Sequence, residues 1–219
     1  MLTRMLLLPL FIYPLASQAI NVGSITTFID VGVQDVTKEV ENNSDQARLV
    51  TVSVSRISSP EEGGVELPMT DGELLLSPAR LMLPAKAKNN VRFFYKGPAD
   101  DQERYYRITW RDTALSMDEQ RNERRQAVAT TSAMISTILV VTPRRSRFDY
   151  ALEKDQLINR GNASYRVVAY GVCRDKPDEQ CKETYYDLPG KYRTFKRVNI
   201  HHDKSHIGLW LGPAFVIVK

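Results

Sequence analysis

Cys173 and Cys181 are the two cysteines of the chain, and Lys176-Pro177-Asp178 between them is turn chemistry. An even pair in an exported chain reads as one disulfide, closing a short loop between strands. Zinc is a poor alternative, because two thiolates cannot complete a tetrahedral site alone. His201, His202, Asp203 and His206 form the other cluster with ligand chemistry. Their His-His-Asp-x-x-His spacing matches no strong metal motif, and Lys204 and Ser205 make the stretch read as a solvated loop. Gly63-Gly64 lies in no phosphate-cradling pattern, and the chain has no Gly-x-Ser-x-Gly elbow. These residues imply no metal, no cofactor and no catalytic constellation, so an enzyme is disfavoured.

The elements that carry these residues are strands. With 219 residues there is room for one or two domains of about 100 residues each. A content of 42% hydrophobic and 26% charged residues excludes a disordered tail, a collagenous fibre and a polytopic membrane protein. The formal net charge of +4 arises from basic residues interleaved with acidic ones, too mild and too scattered for a nucleic-acid partner. Met1-Leu2-Thr3-Arg4 is a basic start, and Met5 to Leu15 is apolar but broken by Pro9 and Pro14. Ser17-Gln18-Ala19 then puts small residues where a signal peptidase reads. Residues 1–19 therefore read as a secretory signal peptide. The apolar run is too short to span a bilayer, and no later segment is long enough, so no membrane insertion is expected.

In the mature chain Val50, Val52 and Val54 alternate with Thr51, Ser53 and Ser55, the pattern of a half-buried antiparallel strand. Further short strands are expected at 74–76, 80–83, 90–95 and 104–110, with turn residues close to most of their ends. Ala114 to Gln126 is charged and helix-compatible, with Ser116 and Glu119 spaced as a capping box. Ala127 to Thr142 is a β-prone run, long against the usual ~5–6 residues of a strand. After Pro143 a second set of strands is expected at 157–162, 165–170, 185–190, 193–198 and 215–218. Two β domains joined near Pro143 follow, 20–142 and 143–219. The long strand is either a core strand or an edge kept available for another chain.

The residues resemble the periplasmic pilus chaperones of chaperone–usher systems, alternate class. The resemblance rests on a signal peptide followed by two sandwiches joined at Pro143, on Arg92 in Asn90-Val91-Arg92-Phe93, on Glu103 before Arg104-Tyr105-Tyr106, and on the pair Pro78 and Pro84. The segments 92–100, 103–108 and 138–141, with Ala169-Tyr170-Gly171 and Tyr185-Tyr186, extend it across the mature chain. It implies an all-β fold of two immunoglobulin-like β-sandwich domains in an L shape with a cleft between them. It implies a periplasmic protein that completes pilin subunits and the tip adhesin with its own strand and passes them to an outer-membrane usher. It leaves room for self-association of the free protein through the same edge. A structural pilus subunit, or another exported β-sandwich binding protein, is the alternative.

The resemblance also assigns residues. The donor strand is Ala127 to Val141. Without a bulge before Pro143, Ala129, Thr131, Ala133 and Ile135 face the subunit's groove, continued by Thr137 and Leu139. With a bulge, Val128, Thr130, Ser132 and Met134 do. The family's two basic anchors for the subunit's terminal carboxylate are missing, since the first should fall near Ser24–Thr26 and the second falls on Ile138. Arg107 is the candidate replacement, with pairing to a neighbouring acid as the bland alternative. Arg92 and Glu103, with Arg144 or Arg145 as third member, are expected to form an ion pair that holds the domain angle.

Overall fold

The computed structural model describes residues 20–115 and 132–219. The expected signal peptide, nearly all of the helix-compatible stretch and the start of the long strand, Ala127 to Thr131, lie outside these residues. The regular structure is β throughout. Before Pro143 the strands are β1 (Ile20–Asn21), β2 (Thr26–Ile29), β3 (Asp35–Asn42), β4 (Arg48–Ile57), β5 (Glu66–Leu67), β6 (Leu74–Ser77), β7 (Arg80–Leu83), β8 (Lys88–Tyr95), β9 (Arg104–Ala114) and β10 (Ser132–Val141). They form one sheet in the order β1-β3-β8-β6 and a second in the order β2-β10-β9-β4, with β5 and β7 both on the far side of β4.

Alternation decides which side chains meet between the sheets. Val50 and Val52 of β4, Ile108 and Trp110 of β9, and Val91 and Phe93 of β8 are buried, and Phe93 meets Trp110 edge-on at 6.1 Å. A charge lies in this core as well. Arg48 donates two hydrogen bonds to Asp112, 2.8 and 2.5 Å long, and both residues are buried.

After Pro143 come β11 (Tyr150–Glu153), β12 (Gln156–Asn159), β13 (Tyr165–Val172), β14 (Gln180–Asp187), β15 (Tyr192–Thr194), β16 (His206–Leu211) and β17 (Ala214–Ile217). They form a sheet β11-β12-β15 and a sheet β14-β13-β16-β17 around Leu157, Tyr165, Val167, Phe195, Ile207 and Leu209. Cys173 and Cys181 are joined as a disulfide beside the β13–β14 pairing. Strand β16 is absent from the sequence-based expectation. Gly208 at its centre looks like a breaker, yet its missing side chain makes room for the Phe215 ring from β17.

Asp187, at the end of β14, is fully buried. It accepts a hydrogen bond from Tyr165 Oη at 3.1 Å, while its Oδ1 has no partner among the described residues. Burial pushes its carboxyl up to about 7. The folded domain therefore retains a proton that the unfolded chain releases near pH 4. Stability from this group is present below that pH and is lost as pH rises towards about 7. Calorimetry of Asp187→Asn beside the parent isolates the effect. The variant's C-terminal transition should gain on the parent's by a few degrees between pH 4 and 8. A constant difference across that range would contradict the assignment.

Candidate functional site

Strand β10 is antiparallel to β9 over its whole length, from Ser132 opposite Thr113 to Val141 opposite Arg104, without a bulge. Its other edge is only partly covered. β2 lies parallel along Ile138 to Val141 and no further. Ile138 N donates to Ile25 O at 2.7 Å, so even-numbered residues of β10 direct their backbone groups to this side. By the same alternation the N–H and C=O groups of Ser132, Met134 and Ser136 point into an open lane with no strand of the described residues in it. The neighbouring sequence runs 116–131, outside the described residues.

Side chains on β10 follow the same parity. Leu139 and Val141 are in the core, Thr137 accepts a hydrogen bond from Trp110 Nε1 at 3.0 Å, and Ile135 packs against the core. Ala133 shares their side. The expectation that Ala133, Ile135, Thr137 and Leu139 face a partner's groove is therefore corrected: these residues complete the chain's own sandwich. Ser132, Met134 and Ser136 face outward, and Met134 is 61% exposed. The outward set is the one expected with a bulge, but no bulge is needed. Ala129, Thr131, Val128 and Thr130 lie outside the described residues.

The lane ends where β2 begins, and two cations flank that point. Arg107 is registered opposite Ile138, with its side chain on the outward face. Among the described residues no carboxylate lies within 4.0 Å of it, so the expected competing ion pair is not found there. On the inner side Lys38 reaches across from β3. Its Nζ donates to Ser24 O at 2.6 Å and to Thr27 Oγ1 at 3.0 Å. Lys38 is buried without a carboxylate partner among the described residues, and burial holds its ammonium below the usual lysine range. Sequence reasoning missed this residue, because a backbone carbonyl as partner leaves no motif.

The expected ion pair of Arg92, Glu103 and Arg144 does not form. Arg92 projects from β8 in the first sheet and forks Asp35 on the adjacent β3, at 2.7 and 2.8 Å. Glu103 precedes β9 in the other sheet and turns to the second domain. There it accepts from Ser164 N at 2.7 Å, from Ser164 Oγ, and from Tyr105 Oη at 2.6 Å. Burial raises its pKa against the pull of these donors. Arg144 contributes only its backbone N–H, to Asp100 O at 2.7 Å, while Arg145 pairs with Asp101. A fork from Arg104 holds Asp100 at about 2. Across the domains Arg193 pairs with Glu61, and Phe28 meets Tyr186 at 5.4 Å. A cleft of about 710 Å³ opens between the domains, lined by Phe28, Phe148, Arg166, Tyr186 and Trp210 among others.

Among the described residues no group of three or more His, Cys, Asp or Glu is placed to hold a metal ion. His201 instead meets Asp155. No described helix is long and apolar enough to cross a membrane.

Residues 148–218 match the family described as EcpB C-terminal domain. The probable fimbrial chaperone EcpB of Klebsiella pneumoniae subsp. pneumoniae is 48% identical over 205 residues, covering 93% of this chain and 92% of that protein. The solved periplasmic chaperone SfaE aligns with a TM-score of 0.56 at 16% identity, over 91% of this chain and 98% of that one. A chain of the Salmonella enterica SafA pilin–SafB chaperone complex aligns with a TM-score of 0.55 at 17% identity, over 88% and 89%. The likeness covers both sandwiches, and the fold is that of two immunoglobulin-like domains in an L shape.

Proposed function

The chain belongs to the EcpB family of fimbrial chaperones, and from that membership we propose that it holds a fimbrial subunit by lending it the open edge of β10. The observation that carries this reading is the row of backbone groups at Ser132, Met134 and Ser136 that have no strand partner among the described residues, on a strand whose other edge is laddered to β9 throughout. A subunit that lacks one strand gains its missing hydrogen bonds there, and its sticky edge is covered. Outward Met134, between two serines, is the one large side chain available to enter the subunit's groove among 132–136. Residues 1–19 direct export, and the chaperone acts in the periplasm. It takes pilin subunits and the tip adhesin as cargo, releases them to an outer-membrane usher, and needs no catalytic chemistry. Glu103 and Ser164 hold the domain angle.

A cargo strand running parallel to β10 ends its lane at Ile25, with its terminal carboxylate between Arg107 and Lys38. Arg107 offers a fork that matches a carboxylate, and Lys38 has one donor left beyond its two hydrogen bonds. Arg107→Ala is expected to weaken cargo binding about 10- to 100-fold, in line with a charge-assisted hydrogen bond of roughly 1.5–3 kcal/mol. Unchanged affinity would remove Arg107 from the anchor.

Co-expression in the periplasm with the fimbrial subunit encoded alongside tests the whole reading. A stoichiometric complex is expected, with the subunit degraded when the chaperone is absent. A subunit that accumulates soluble and alone would overturn it.

A further inference from the structure

Across β4, β7, β9 and β10 the outward face of the sheet carries charge of one sign, while the acid Glu66 stands apart on β5 opposite Ile57. The charged positions of that face on the four strands are Arg80, Arg107 and Arg111. Arg80 and Arg111 both stand opposite Thr51, so they flank one strand with Cα atoms roughly 10 Å apart. Met134, on the open edge, stands opposite Arg111 on its other side. Arg107 lies four residues further along β9. Between them and the open edge the surface is small and hydroxylated, with Thr51, Ser53, Thr109 and Ser136, while exposed Met82 and half-buried Leu49 lie beside Arg80.

Many of the other described arginines have acids. Arg48, Arg56, Arg92, Arg104, Arg145 and Arg193 each lie within 4.0 Å of a carboxylate. Arg80 and Arg111 have none among the described residues, and both are exposed. Two guanidinium groups at this spacing, near the Debye length of ~8 Å at physiological salt, still feel each other. A partner that brings carboxylates relieves that repulsion and gains bidentate hydrogen bonds.

We propose that Arg80 and Arg111 form a basic docking face for an acidic flank of the cargo subunit. The proposal rests on the reading of β10 as the donor edge. The inner side of β10 is filled by the chain's own core, so the body of a subunit seated on the edge can rise only over the outward side. There it meets β9 first and β7 beyond it. The short hydroxylated side chains let it approach closely, and the two arginines select a surface with carboxylates about 10 Å apart. The face speeds capture of matching subunits and disfavours basic ones.

The test uses the full mature chaperone and the fimbrial subunit encoded alongside it, unfolded in denaturant and diluted into chaperone. Association rates are compared at low (~30 mM) and high (~300 mM) salt. Arg80→Glu with Arg111→Glu should slow association about tenfold or more at low salt and converge with the parent at high salt. Arg80→Gln with Arg111→Gln should fall between, and unchanged thermal melting of both variants shows that the fold is intact. Met134→Pro is run in parallel. If it binds weakly while the glutamate variant keeps the parent's rate and salt dependence, the basic face is overturned and the donor edge stands. If it binds like the parent, both readings fall. If the parent binds anionic phospholipid vesicles, and the glutamate variant loses that binding with unchanged subunit association, the face addresses a membrane and the proposal is overturned.

Discussion

Met134→Pro is expected to lower cargo affinity roughly 30- to 100-fold while leaving the melting of the N-terminal sandwich within about 1 kcal/mol of the parent. The two halves of that expectation have separate causes. The Met134 N–H points into the open lane, because it shares its parity with Ile138, whose N–H reaches Ile25 O. Proline is tolerated on an edge when the lost N–H faces outward. The ladder to β9 therefore stays whole. In the complex, the same substitution deletes a donor at the centre of the lane. It leaves an acceptor of the cargo strand unpaired and puts a ring in its path, worth about 2–3 kcal/mol together. Ile135→Pro is the contrasting variant. Its N–H belongs to the β9 ladder, so it should damage the fold itself by ~3 kcal/mol or more. Titration of the complex together with thermal melting of the free chaperone separates the two effects. Parent-like affinity for Met134→Pro would remove β10 as the donor.

Asp112→Ala carries the largest expected effect on stability. Asp112 is fully buried, and its only cation among the described residues is Arg48, which is 5% exposed. Removal of the carboxylate strands a guanidinium in the core, which costs about 3–5 kcal/mol. Urea unfolding should show an N-terminal transition shifted to much lower denaturant, with the C-terminal transition in place. Replacing both partners with apolar residues, Arg48→Met with Asp112→Leu, should recover most of the loss, because the penalty comes from the orphaned charge rather than from the missing pair. A loss under about 1 kcal/mol for Asp112→Ala would mean that water reaches Arg48.

The sequence makes some of this plain and hides the rest for identifiable reasons. On β4 the apolar residues Val50, Val52 and Val54 occupy one parity and hydroxylated residues the other, so both the strand and its buried face are legible. On β10 both parities contain apolar residues: Ile135 and Leu139 on one, Met134 and Ile138 on the other. No sequence pattern distinguishes the faces; the burial of Leu139 and Val141 and the bond from Trp110 to Thr137 decide between them. The ion pairs fail for a different reason. Arg92 meets Asp35 through the pairing of β3 with β8, and Glu103 meets Ser164 across the domain boundary. Neither partner is near in sequence, and a plausible acid elsewhere reads equally well until the sheets are assigned. Arg48 and Asp112 are equally distant along the chain. Strand β16 is hidden by a glycine whose purpose lies on another strand.

If β10 is the donor edge, the parallel pairing of β2 with its last residues makes the chaperone a gauge. Because β2 occupies the same lane that a cargo strand would enter, it acts as a fixed stop, and the free length of the lane is set by this chain rather than by the cargo. The outward side chains along the described part of that length are two serines and Met134, so composition would be read loosely. Distance from the stop would be read strictly, since a strand that overshoots collides with Ile25 and one that falls short leaves its end away from Arg107 and Lys38. On this reading, subunits of quite different sequence would be accepted, provided that their final strands terminate at the same mark.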